Sequence, residues 1–120
     1  MFHDRNIHPD APWRALLLNA ASLIEVHGHC KLGLMDEHGR LCFVGALAKA
    51  ETGDANDAVC YGAAATDAYY NFRDFLGQDP VDYNNLPTTK ARDLISKMRL
   101  CAYESTPAPA PESMGPKRFA

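Results

Sequence analysis

The sequence predicts an α+β domain, mainly helical, with about four helices and one β-hairpin at residues 30–44 packed on them. Three observations carry this expectation. Two windows, Trp13–His27 and Ala91–Ala102, place apolar residues at helical spacing. Between them, residues 29–44 change period around a turn-forming Asp36-Glu37-His38-Gly39. The chain has 120 residues, 47% hydrophobic and 22% charged, which suits one ordinary globular domain able to bury a core without metal or disulfides.

The first helix opens at Asp10-Ala11-Pro12-Trp13. Asp10 is a suitable cap for a free backbone N–H, and proline fits the first turn, where its missing N–H is not needed. Trp13, Leu16, Leu17, Ala20, Leu23, Ile24 and His27 then recur on one face, and Gly28 supplies a stop. The hairpin follows. His29–Met35 and Arg40–Val44 flank the turn, with Asp at its first position and Gly at its fourth. A lone hairpin is marginal, so it must pack on helices.

Gly45–Ala50 reads as a short helix and Glu51–Asn56 as a polar loop. A second long helix is expected from a cap at Asp57 to a stop at Gly77, with Thr66-Asp67 as a point where it could break. Gln78–Pro87, rich in Asp, Asn and Pro, reads as a loop. Thr89 caps a last helix whose apolar face is Ala91, Leu94, Ile95, Met98, Cys101 and Ala102. The organisation expected is an arm at residues 1–9, one domain at 10–103 and a Pro/Ala-rich tail at 104–120. Thr106–Pro111 alternates proline with small residues and favours an extended chain.

Charge and composition bound the function. The net charge is −3, which offers no basic footprint for nucleic acid. No apolar run approaches the roughly 20 residues of a membrane helix. Met1–Arg5 lacks the layout of a signal peptide. The location expected is cytoplasmic, or host cytoplasm or virion if the chain is phage-encoded. Four cysteines without close spacing are then expected as reduced, packed thiols.

Several residue groups suggest chemistry. His27, His29, Cys30, His38 and Cys42 are all possible zinc ligands, but none form the close pairs of structural zinc sites. If Asp36 pairs with Arg40, Leu34 faces Cys42. Cys30 then lies four residues up the strand, on the order of 13 Å away at ~3.3 Å per residue. That is too far for a disulfide or a shared metal, so neither metal nor cofactor is expected. A cysteine nucleophile with a histidine and Asn84 or Asn85 is a second idea. Cys42 on a strand and Cys30 after a helix C-terminus are poor places for a thiolate.

The loop Tyr83-Asn84-Asn85 mixes a ring with amides, which suits a ligand pocket or protein contact; the plainer reading, which is preferred, is that Asn84 and Asn85 satisfy loop and helix-cap backbone groups. Tyr69, Tyr70, Phe72 and Phe75 exceed one helix face, so some are available to a partner or to cover by the N-terminal arm. Lys117, Arg118 and Phe119 form a basic-aromatic tip on the tail, a possible docking motif.

Beyond these local readings, the chain resembles a family of short bacterial and phage proteins, family six-one-nine-seven of the domains of unknown function. The resemblance runs over roughly residues 14–102. It rests on Ala20–Glu25, Gly28-His29-Cys30, the Asp36–Gly39 turn, Cys42 with Gly45-Ala46-Leu47, and Tyr83-Asn84-Asn85 before Thr89. The family tends to carry Trp at the position of His29 and Trp-Asn-Asp at 83–85. The resemblance implies a phage or bacterial origin and supplies no mechanism.

The function expected is a non-enzymatic protein-interaction or assembly component, such as a virion subunit or a host-protein-binding factor. Its contacts are a protein partner or further copies of itself, with no nucleic acid and no membrane. The candidate partner-binding residues are Tyr69, Tyr70, Phe72, Tyr83, Asn84, Asn85, Lys117, Arg118 and Phe119. The alternative is a small-molecule binder or cysteine-dependent enzyme using the hairpin and the Asn84-Asn85 loop.

Overall fold

A computed structural model of the chain describes residues 8–57 and 62–104. Five helices form among them: α1 (Pro12–His27), α2 (Phe43–Thr52), α3 (Ala63–Leu76), α4 (Pro80–Asn85) and α5 (Ala91–Glu104). No strand occurs among the described residues, so the expected α+β class is corrected to all-α.

The helix α1 is central and packs on α5, α2 and α3. Its apolar face buries Trp13, Leu17, Ala20, Ala21 and Ile24. Pro12 occupies the first turn, but the cap position is Ala11, without a side-chain bond. Asp10 does not cap; its own N–H donates to His8 Nδ1 at 3.1 Å, and Ala11 N–H donates to His8 O at 2.9 Å. Arg14 is 7% exposed. Its guanidinium lies 4.7 Å over the Trp13 ring and donates to His8 O and Ala102 O, each at 2.9 Å. It thereby satisfies a carbonyl in the last turn of α5.

Gly28 ends α1 at φ +97. A Cβ here would meet Arg40 Cγ at 2.8 Å, so glycine meets both a backbone and a packing requirement.

The hairpin fails in an instructive way. Its turn forms: Asp36 N–H donates to Arg40 O and Gly39 N–H to Asp36 O, both at 3.0 Å, and Gly39 takes φ +80. The register also reaches Cys42 N–H donating to Leu34 O at 3.2 Å. Pairing stops there because Cys42 already opens α2 and Leu32 turns the chain at φ +63. The incoming arm doubles back, and residues 28–30 pass along the other side of Leu41. Leu41 N–H donates to Gly28 O at 2.9 Å and Cys30 N–H to Leu41 O at 3.0 Å. Leu41 is thus bridged in parallel by His29 and antiparallel by Met35.

The helix α2 starts two residues before Gly45 and ends at Gly53, φ +88. Gly45 lies against the loop so closely that a Cβ would sit 2.0 Å from Leu34 O. From α2, the Glu51 carboxylate accepts from Gly62 N–H at 2.7 Å and Ala65 N–H at 3.3 Å. It therefore caps α3 from a neighbouring helix, in place of the cap expected at Asp57. Val59 and Cys60 of the expected long helix lie outside the described residues. From Ala63, α3 runs unbroken through Thr66-Asp67 to Gly77, φ +76.

Residues 80–85, read as loop, form α4: Asp79 accepts from Val81 N–H at 3.4 Å, and Pro80 takes the first helical position. The last helix buries Leu94, Ile95, Met98, Cys101 and Ala102, all five from its expected face. It starts after Lys90, whose carbonyl accepts from Asp93 and Leu94. Thr89 is buried beneath it, hydrogen-bonded to Tyr83. The core joins these faces around Trp13, Leu17, Leu41, Phe43, Phe72, Leu94 and Met98. No described helix is long and apolar enough to cross a membrane.

Candidate functional site

The doubled-back loop, the start of α2 and the end of α4 meet at one side chain, Asn84, which is 2% exposed. Its Oδ1 accepts from Phe43 N–H at 2.9 Å and from His29 Nε2–H at 2.8 Å. Its Nδ2 donates to Cys30 O at 3.3 Å and to Asn85 Oδ1 at 3.0 Å. Both lone pairs and both protons are used. The Phe43 backbone donor fixes which amide atom is oxygen, and that in turn places the proton of neutral His29 on Nε2. Burial lowers the His29 pKa; the nearby Lys31 charge acts the same way, while the Asn84 bond opposes them.

Asn85 extends the clamp. Its Oδ1 also accepts from Leu32 N–H at 2.9 Å. Lys31 crosses to the segment after α4, donating to Leu86 O and, at 2.8 Å, to Thr89 O. Four polar side chains or backbone groups from residues 29–32 are therefore tied to residues 84–89. The result is a loop held open around an apolar cleft of about 310 Å³, lined by Leu32, Leu34, Cys42, Phe43, Val44 and Val81 with both asparagines at its edge.

Leu32 is the outlier of the site. It is 86% exposed and is the single non-glycine residue with positive φ among those described. Such a backbone costs a leucine roughly 1–2 kcal/mol relative to the right-handed region. The Asn85 bond to its N–H holds it there.

Cys42 stands at the N-cap of α2, where its Sγ accepts from Gly45 N–H at 3.3 Å. This corrects its expected place on a strand. Burial raises the thiol pKa, while the N–H groups of Gly45 and Val44 oppose the rise. Cys30 is buried, and its Sγ lies 3.6 Å from Gly33 O. Burial raises its pKa too, and the proximity of Cys42 adds to the rise. The expected 13 Å separation rested on an extended arm that does not exist. No group of three or more metal-ligating side chains occurs among the described residues.

The remaining candidates are scattered. Phe72 is fully buried, 4.8 Å from the Phe43 ring. Tyr69 is half-buried and donates to Asp79; burial and that carboxylate hold its phenol far above the usual range. Tyr70 is half-buried with the Arg73 guanidinium 4.6 Å over its ring. Tyr83 is buried beside Thr89 and lines the far side of α4, away from the cleft. Lys117, Arg118 and Phe119 lie outside the described residues. Leu32, Val44 and Val81 were not singled out from the sequence. Their only signal is an apolar Leu32-Gly33-Leu34 in a segment otherwise rich in polar turn residues.

Fold and site together define a small helical domain that presents a clamped loop and an apolar cleft. The chain belongs to a family of unknown function, DUF6197, whose model matches residues 8–104. No curated protein and no solved structure matches it.

Proposed function

We propose that this protein is a protein-interaction module that self-associates through the Leu32 loop, as a subunit of a larger phage or bacterial assembly. The observation that supports this reading is Leu32: a backbone at positive φ places an apolar side chain in water at an apolar cleft. Strain of this kind concentrates where function requires it. A macromolecular surface would cover both the cleft and the large exposed part of Leu32, which lines its rim.

The choice of a second copy follows from the arrangement. A knob, Leu32, and a hole, the cleft floored by Phe43 and Val44, lie side by side on one face. A two-fold pair needs that self-complementarity, with each knob entering the other copy's hole. The Asn84 amide, by contrast, has no valence left for chemistry on a substrate.

The test is Leu32→Gly. Glycine relaxes the positive φ, so the variant is expected to be more stable by about 0.5–1 kcal/mol. It also removes the knob, so association seen by native mass spectrometry or sedimentation falls. Wild-type protein that stays monomeric at high concentration would sink the self-association reading. At a concentration where both proteins are monomeric, a variant less stable than wild type would show that Leu32 is held for the fold instead.

A further inference from the structure

We propose that Cys30 and Cys42 form a dithiol–disulfide pair, oxidised by exchange with a low-molecular-weight disulfide such as oxidised glutathione. The geometry follows from the two bonds about Leu41. Leu41 N–H to Gly28 O and Cys30 N–H to Leu41 O are the paired bonds of a parallel bridge between His29 and Leu41. One residue further on both segments come Cys30 and Cys42. Adjacent segments paired this way lie roughly 4.7–4.9 Å apart, inside the Cα separation of about 4.4–6.8 Å that a disulfide accepts. In parallel pairing, neighbours across the bridge also project to the same side.

The surroundings bring the two sulfurs into one small neighbourhood. Cys30 Sγ contacts Gly33 O at 3.6 Å, and Cys42 Sγ contacts Gly45 N at 3.3 Å. Gly33 and Gly45 are joined through Leu34, whose carbonyl oxygen lies where a Gly45 Cβ would be. Both residues are nearly buried, at 9% and 7% exposure. Cys42 also lines the apolar cleft, which gives a reagent an approach.

Cys42 is the attacking thiol. It is reached through the cleft, and the N–H groups at the start of α2 offset part of the burial that disfavours its thiolate. After losing its proton to water, Cys42 Sγ attacks one sulfur of the small disulfide. That S–S bond breaks, one thiolate leaves, and a mixed disulfide remains on Cys42. Cys30 then loses its proton and attacks Cys42 Sγ, expelling the second thiolate. Two protein thiols are oxidised by two electrons, and one small disulfide is reduced to two thiols, which take up the two protons. Burial of both thiols makes the exchange slow at neutral pH and faster as pH rises.

The cross-link closes the loop carrying Leu32 onto the start of α2. The experiment uses the full chain in glutathione buffers of increasing oxidised fraction. Samples are quenched in acid, alkylated, and read by intact mass and peptide mapping. The expected result is a species lighter by two hydrogens, with Cys30 and Cys42 linked in one peptide pair and refractory to alkylation. Its rate of formation rises roughly tenfold per pH unit below the thiol pKa. Its thermal midpoint is higher than that of the reduced chain. Full alkylation of Cys30 and Cys42 after oxidation would overturn the proposal. So would glutathione adducts that never resolve, or a linkage through Cys60 or Cys101.

Discussion

Truncating Asn84 to alanine would leave Phe43 N–H, Cys30 O and the His29 ring without their buried partner. Each unsatisfied buried group costs about 1–3 kcal/mol, moderated where water enters. Asn84→Ala is therefore expected to lower stability by about 3 kcal/mol, read from a urea-unfolding midpoint. Asn84→Asp tests the same account more sharply. A carboxylate matches the shape but has no proton for Cys30 O or Asn85 Oδ1. It should destabilise at least as much as alanine; a near-neutral aspartate would show that the Nδ2 bonds contribute little. The sequence suggests that these amides serve loop and helix-cap backbone groups, but not which ones. The residues Asn84 serves lie 41, 54 and 55 positions away, and an amide in a Pro/Asn-rich stretch looks like local turn chemistry.

At the scale of elements, legibility follows length and period. The faces of α1 and α5 were plain because four turns of helix repeat the same apolar spacing. The six-residue α4 is too short to show a period, although Asp79-Pro80 carries an N-cap and first-turn signal. The hairpin failed for another reason. Its turn chemistry was right, but the arms were decided by packing: Leu34 O is pressed against Gly45, which makes the start of α2 and the loop one unit. Gly45→Ala would drive a Cβ to within 2.0 Å of a backbone oxygen. It is expected to cost at least about 3 kcal/mol or to prevent folding. Gly33→Ala is the matched control on the same loop. Nothing lies within 4 Å of its Cβ position, and the change should be neutral or stabilising by about 0.5 kcal/mol. Equal losses in thermal unfolding of the two variants would contradict the close packing of α2 on the loop.

For the molecule as a whole, the clamp makes stability depend on the charge of one imidazole. The folded state holds His29 neutral, its pKa lowered from 6.5 first by burial. The unfolded chain binds this proton near pH 6.5, where the folded chain resists it. Stability from this group is therefore fully present above about pH 6.5 and falls as pH drops toward the lowered folded value. Below that value its contribution is flat. Glu25 and Asp36 lose their native advantage in a separate, more acidic window. Glu25 is held low by its bond to Arg99. For Asp36, burial pushes upward but is outweighed by bonds from Arg40 and His38. A denaturation series from pH 7.5 to 5 should thus show declining stability in wild type. His29→Gln keeps a side-chain N–H for Asn84 Oδ1 but has no proton to gain. It should flatten that part of the curve while leaving the decline below pH 4.5 in place. If the slope between pH 6.5 and 5 is unchanged in the variant, another group carries it, and the coupling of the clamp to His29 protonation is wrong. If the slope disappears, acid weakens the loop that presents Leu32 before it weakens the helices beneath, and self-association should fall over the same pH range.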